Sequence, residues 1–238
     1  MAEPIPGVLI TRPEPGASET AARVAALGWC PVLAPALVLA PRPMPPLPAV
    51  QAILLPSRAA ARAIPPPSLA APLPVLAVGE GTAEAARARG FTEVLAAEGE
   101  AASLITLAAA RLDPAAGPLL LAVGRGYSLD LARGLRARGF RVHRRTAYTA
   151  TEAAVLPEAA ARAIAIGGTS CALFFSPRSA EASLRQLGAA GLSGRVREMA
   201  AVAISPRVAR VLAALPWGAI RIAARPDQDH MLELLGPP

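Results

Sequence analysis

Six short segments gather the residue types that could do chemistry in this chain: Thr11-Arg12, Ser57-Arg58, Gly79-Glu80-Gly81-Thr82, Gly124-Arg125-Gly126, Ser176-Pro177-Arg178 and Ser205-Pro206-Arg207. Each follows a short apolar run and precedes a stretch of helical character. Each therefore sets the backbone N–H groups of a helix N-terminus beside a hydroxyl or a guanidinium, a combination suited to anions. In a parallel sheet, ligands bind beyond the carboxyl ends of the strands, where these segments fall. The candidate binding residues are Arg12, Ser57, Arg58, Gly79, Thr82, Gly124, Arg125, Ser176, Ser205 and Arg207. Any single Ser or Thr in such a place is also an ordinary helix N-cap. The set of six is what suits a ligand with several carboxylates or phosphates.

Tyr148, one of 2 tyrosines, ends the run Arg141-Val-His-Arg-Arg-Thr-Ala-Tyr. Taken alone, it reads as a sheet-packing residue with a satisfied hydroxyl. Other chemistries lack their residues. Lys is absent, which removes Schiff-base and P-loop lysines. His143 and His230 stand far apart with no Cys or acidic cluster at metal-ligand spacing. Neither a Ser-His-Asp nor a Cys-His arrangement has a home. Gly124-Arg125-Gly126 opens like a dinucleotide fingerprint, but Leu129 occupies the place of its third glycine. The expectation is a protein without metal or cofactor.

The net charge of +7 comes from 24 basic residues, every one an arginine, against 17 acidic ones. That balance suits an anionic ligand. The arginines are scattered along helices and aromatics make up 3% of the chain, leaving few stacking platforms for nucleic acid. Cys30 and Cys171 lie too far apart to suggest a disulfide framework and read as small buried apolar residues. No apolar stretch reads as a membrane span, and no secretory signal opens the chain. A cytoplasmic protein that meets neither nucleic acid nor membrane is expected.

The elements that must position these residues repeat. Val8-Leu-Ile-Thr-Arg-Pro and its helical run to Gly28-Trp29 are echoed by Leu119-Leu-Leu-Ala-Val-Gly and its run to Gly139-Phe140. Ile53-Leu-Leu-Pro-Ser-Arg58 is echoed by Leu173-Phe-Phe-Ser-Pro-Arg178, and Val75-Leu-Ala-Val by Val202-Ala-Ile-Ser. Strand and helix patterns alternate throughout, which argues for a parallel α/β architecture in two similar units with a cleft between them. Ser18 is the expected cap of the first helix, residues 31–39 a single strand, and 151–166 a helix. Residues 41–48 and 65–74 are proline-rich connectors. Trp29 and Trp217 read as packing, and His143 and His230 as surface residues.

The order and spacing of these segments resemble the uroporphyrinogen-III synthase family over nearly the whole chain. The likeness rests on Val8-Leu-Ile-Thr-Arg-Pro, Val78-Gly-Glu-Gly-Thr82, Gly124, Leu135-Arg-Ala-Arg-Gly-Phe-Arg-Val, Tyr148, Leu173-Phe-Phe-Ser-Pro and Ala203-Ile-Ser-Pro206. The resemblance implies a cytoplasmic, cofactor-free lyase of tetrapyrrole biosynthesis, taking hydroxymethylbilane over from hydroxymethylbilane synthase; a monomer is expected because two internal copies already supply the cleft. The enzyme would invert the terminal ring of this linear tetrapyrrole and close the macrocycle with loss of water, through a spirocyclic intermediate. It also implies two α/β domains joined by a two-stranded linker: residues 1–36 with 152–238, and 40–147, with crossings near 35–39 and 148–151. Tyr148 matches the family tyrosine that assists departure of the hydroxyl, Thr82 matches a cleft threonine, and Ser57 and Ser176 lie at or beside cleft turns. The chain departs from its relatives at Ser205-Pro206-Arg207, where Gly-Pro-Thr is common, and at Leu55-Pro56-Ser57, where a Thr-Ser pair is common. Those departures leave a competing reading: a weakened relative that binds an anionic tetrapyrrole-like ligand.

Overall fold

A computed structural model describes residues 6–43, 49–65, 73–125 and 128–238. Gly126 and most of the two proline-rich connectors (44–48 and 66–72) lie outside the described residues. The first half runs β1 (Gly7–Ile10), α1 (Gly16–Ala26), β2 (Cys30–Leu33), β3 (Leu37–Pro41), β4 (Ala52–Leu55), α2 (Arg58–Ala63), β5 (Val75–Ala77), α3 (Glu80–Arg87), β6 (Val94–Ala96) and α4 (Ala101–Arg111). The second half runs β7 (Leu119–Gly124), α5 (Leu129–Ala137), β8 (Val142–Glu152), α6 (Glu158–Ala165), β9 (Thr169–Phe174), α7 (Pro177–Ala189), a 3₁₀ turn at Arg195–Glu198, β10 (Ala200–Ala203), α8 (Pro206–Leu212), β11 (Ala219–Ile222) and α9 (Gln228–Glu233).

The strands form two sheets, ordered β11-β10-β9-β1-β2 and β3-β8-β7-β4-β5-β6. The chain divides into two compact units, Met1–Val38 with Thr151–Pro238, and Leu39–Ala150. All pairings in the first sheet are parallel, as are those joining β4 through β8 in the second. Strand β3 lies against β8 at the end of the second sheet. Its direction is opposite: the Arg42 N–H donates to the Ala147 carbonyl, and the Ala153 N–H to that of Ala36.

Central strands bury both faces, which is why they read as unbroken apolar runs. In β7, Leu119, Leu121 and Val123 enter one core of the second unit, while Leu120 and Ala122 enter the other. In β1, Leu9 faces one core of the first unit, with Val8 and Ile10 on the opposite side. Each fully buried side chain of this size contributes on the order of 1.5–3 kcal/mol. Gly28 and Gly139 close α1 and α5 at φ 86° and 87°, the left-handed conformation favoured by a residue without Cβ.

Several sequence expectations change. The run 31–39 is two strands, because β2 pairs with β1 whereas β3 pairs with β8 in the other sheet. Residues 151–152 continue β8, and the helix starts only at Glu158; backbone pairing with β3 overrides the alanine-rich composition. Ser18 lies inside α1, where its N–H donates to Glu14 Oε2 at 3.0 Å and its hydroxyl to Glu14 Oε1 at 2.8 Å, so Glu14 serves that helix end. Trp217 does pack, edge-on to Phe174 with ring centroids 5.5 Å apart. Cys171 is buried as expected, but Cys30, at the start of edge strand β2, is exposed.

Candidate functional site

In each sheet, two neighbouring strands carry chains that leave their carboxyl ends in opposite directions along the sheet. The first sheet has this switch between β1 and β9, the second between β4 and β7. Ligands of open parallel sheets bind outside the carboxyl ends at such a switch.

At the second unit's switch, Ser57 follows β4 and caps α2: its Oγ accepts the Ala60 N–H at 3.1 Å. Tyr148, in β8 beside β7, brings its hydroxyl to 3.4 Å from Ser57 Oγ. Its ring lies across Gly124, where an added Cβ would stand 2.7 Å from Cζ and 2.9 Å from the phenol oxygen. The Arg125 N–H donates to the Tyr148 carbonyl at 3.1 Å, fixing the backbone on the same spot. Arg58 rests on the first turn of α3, where a Cβ on Gly81 would stand 2.6 Å from Nη2. Gly79 is the N-cap of that helix, and Thr82, 5% exposed, is buried in its first turn. The Arg125 side chain is exposed.

At the first unit's switch, Thr11 is wholly buried and sends both its N–H (3.4 Å) and its hydroxyl (2.8 Å) to the Leu173 carbonyl. It is a latch between β1 and β9, and the next residue, Arg12, is the one presented. Arg12 donates from Nη1 to Gln228 Oε1 at 2.9 Å and Thr20 Oγ1 at 3.2 Å, with its guanidinium carbon 4.4 Å from the centre of the Phe175 ring. Ser176 caps α7: its Oγ accepts the Ser179 N–H at 3.1 Å and donates to Ser179 Oγ at 3.0 Å, so its hydroxyl is engaged within the protein. Ser205 caps α8 with no side-chain hydrogen bond to that helix, and Arg207 is exposed on it.

The structure thus brings Ser57, Gly124 and Tyr148 together, and separately Arg58 with the Gly79–Thr82 turn. Arg12 gathers partners that sequence reasoning missed: Thr20, Phe175 and Gln228. The available signal was glycine in the first turn of a helix, as at Gly16 and Gly81, where it is costly unless something approaches closely. Next to Gln228, Asp227 caps α9; hydrogen bonds from the His230 backbone N–H and then its ring hold the Asp227 carboxyl below the usual carboxylate range. His230 is therefore half-buried against Asp227, with Nδ1 2.7 Å from Oδ1, rather than free on a helix face. Among the described residues, no group of His, Cys, Asp and Glu could hold a metal ion, and no helix is long and apolar enough to cross a membrane.

Residues 18–233 match the model of the family described as uroporphyrinogen-III synthase HemD. The chain belongs to the uroporphyrinogen-III synthase family. Solved structures share the fold. The uroporphyrinogen-III synthetase of Helicobacter pylori aligns at TM-score 0.63 and 15% identity, covering 97% of this chain and 98% of its own. A mutant uroporphyrinogen III synthase of the extremely thermophilic bacterium Thermus thermophilus aligns at TM-score 0.52 and 19% identity, covering 96% of each. No curated protein matches the chain. The opening Val8–Pro13 segment, with Arg12, precedes the matched stretch.

Proposed function

We propose that this chain closes hydroxymethylbilane to uroporphyrinogen III, inverting the terminal pyrrole ring with loss of water, as a cofactor-independent lyase of tetrapyrrole biosynthesis. The family match over residues 18–233 carries this reading. In the same reading the chain is a cytoplasmic monomer that receives its substrate from hydroxymethylbilane synthase.

The chemistry asks for little covalent machinery. A hydrogen bond or proton from the Tyr148 hydroxyl helps the substrate hydroxyl depart as water, leaving a cationic azafulvene. The substituted α-carbon of the terminal pyrrole attacks the azafulvene methylene to give a spirocyclic intermediate, and that ring's original methylene bond then breaks to leave a second azafulvene. The free α-carbon of the inverted ring closes on this centre, and loss of its proton restores the pyrrole. Most of the catalysis is orientation of a flexible chain and stabilisation of charge where it develops. The contact between Tyr148 and Ser57 and the packing of its ring on Gly124 support a fixed phenol.

Arg12 and Arg58 are the proposed holders of acetate and propionate carboxylates, whose planar geometry a guanidinium fork matches. The Gly79 backbone and Thr82, together with Ser205, Arg207 and Arg125, complete the proposed contacts. Ser57 and Gly124 act in this scheme through Tyr148, and Ser176 shapes its turn. The test supplies hydroxymethylbilane and resolves the product isomers. The type III isomer is expected; only the spontaneous type I isomer would refute the synthase reading.

A further inference from the structure

We propose that the arginines along α5 and β8 form a basic track that draws a polycarboxylate substrate toward Tyr148 and speeds its capture. This rests on the reading of the substrate as a tetrapyrrole bearing several carboxylates.

The positive charge of the chain is concentrated twice over. The unit Leu39–Ala150 carries 13 arginines against 7 acidic residues, net +6, and the rest of the chain 11 against 10, net +1. Within the basic unit the charges separate again. Arg133, Arg136, Arg138, Arg141, Arg144 and Arg145 follow one another from α5 into β8, and no acidic residue stands between Asp130 and Glu152. Arg111 lies in the last turn of α4, which packs on α5. Arg42 follows β3, and its N–H donates to the Ala147 carbonyl of β8 at 2.8 Å. Two acids oppose these eight cations: Asp130, paired with Arg133 at 2.7 Å, and Asp113, next to the Pro114 that touches Gly139. The other five arginines of the unit are matched by five acids on α3 and around β6, which are Glu80, Glu84, Glu93, Glu98 and Glu100.

An arginine-rich composition explains how many cations there are, but not why most acids keep to the opposite end of the sheet. Four strand spacings separate β8 from β6, about 19 Å. That exceeds two screening lengths at physiological salt, so the far carboxylates weaken the field at β8 little. Arg138 and Arg141 are exposed, and among the described residues neither they nor Arg145 pairs with a carboxylate.

The track leads to the site. Arg145 stands three residues before Tyr148 on β8, roughly 10 Å along the strand, and Arg141 about 23 Å before it. A one-signed field of this kind raises the association rate of an oppositely charged ligand by about 10–10³-fold, and the gain falls steeply with ionic strength. Fast capture matters for hydroxymethylbilane, because free in solution it closes spontaneously to the type I isomer.

The experiment is stopped-flow capture of uroporphyrin, an octacarboxylate, followed by fluorescence. It is run at about 0.01 M salt, where the screening length is roughly 30 Å, and at about 1 M, where it is roughly 3 Å. Arg138→Gln, Arg141→Gln and Arg145→Gln are combined in one chain, taking the unit from +6 to +3. Association should be about tenfold slower than wild type at low salt and within about twofold at high salt, with dissociation little changed at either. Equal association rates at low salt overturn the proposal, as does a loss that persists at high salt or lies in dissociation alone. A wild type that captures no porphyrin overturns it too.

The synthase reading fails separately. Type III product with capture indifferent to salt and to these arginines would remove the track and keep the synthase. Arginine-dependent capture without type III product would do the reverse. Should the triple variant fold poorly, the double variant Arg138→Gln with Arg141→Gln decides, both positions being exposed: several-fold slower capture at low salt supports the track, and wild-type capture refutes it.

Discussion

Gly124→Ala tests whether the Tyr148 phenol is held in place by the absence of a side chain beneath it. The pairing of β7 with β8 shifts register between Val123 and Gly124, but Gly124 is not in the left-handed region, so the main thing alanine brings is a methyl group 2.7 Å from Tyr148 Cζ. Restoring a normal contact of 3.4 Å requires the ring to retreat by about 0.7 Å, because carbon atoms repel steeply at shorter range. The Ser57–Tyr148 contact is already 3.4 Å long and would not survive that displacement. Overpacking of this kind costs about 1–3 kcal/mol. For a unit of this size, each kcal/mol lowers the melting temperature by roughly 4 °C or more. A misplacement approaching 1 Å can cost on the order of a hundredfold in rate.

Gly124→Ala should therefore lose most type III product formation while still folding, with a moderately lowered melting temperature. The control is the Tyr148→Phe background. If Gly124 acts through the phenol, the second substitution adds little further loss of turnover once the hydroxyl is gone. Wild-type turnover in Gly124→Ala refutes the reasoning. So does a double variant in which both losses multiply, since independent effects would then be at work.

Three further outcomes follow from the geometry. Gly81→Ala should raise the melting temperature or leave it unchanged, because alanine favours the helix by up to about 1 kcal/mol and only the flexible end of Arg58 must yield; KM should rise, and an unchanged KM removes Arg58 from substrate binding. Asp227 has its carboxyl pKa lowered by His230, so its contribution to stability is present above the ordinary carboxylate value of about 3.9 and is lost as pH falls through the lower folded-state value. The melting-temperature gap between wild type and Asp227→Asn should accordingly close in acid, and a gap constant from pH 6 to 3 contradicts this. Burial pushes the Cys171 thiol up while Cys30 is exposed, so iodoacetamide should alkylate Cys30 in the native protein and Cys171 only in denaturant, as read by peptide mass.

Much of the fold is legible in the chain because buried parallel strands are short apolar runs and the helices between them stop at glycines such as Gly28 and Gly139. What misleads is non-local. Nothing within residues 31–39 marks where β2 hands over to β3; the break comes from a change of partner, as Ala34 and Ala36 donate to Ile10 and Thr11 and the chain then meets β8. Residues 151–152 have helical composition yet complete that ribbon. In the site, Tyr148, Ser57, Arg12 and Arg58 stand out by residue type. Gln228 and Phe175 are invisible from Arg12, since they lie 216 and more than 160 positions away and only the sheet order brings them in.

The internal repeat also takes a sharper form. Reading the two sheets from matching edges pairs β11 with β6, β10 with β5, β9 with β4, β1 with β7 and β2 with β8, so one order is built twice from segments drawn from opposite halves of the chain. The caps align Ser57 with Ser176, which sets Arg58 opposite Pro177 rather than Arg178. With that register, β1–β9 and β7–β4 pairing sets Ile10 opposite Leu121 and hence Arg12 opposite Val123. In the first unit the strand ends at Ile10, because Thr11 turns both its polar groups to Leu173, and the chain leaves with a cation. In the second, Ala122 and Val123 prolong the strand to Gly124, whose partner in β8 is Tyr148. A few residues of extra strand thus bring a phenol from the neighbouring strand to the switch of one unit, where the other carries a guanidinium.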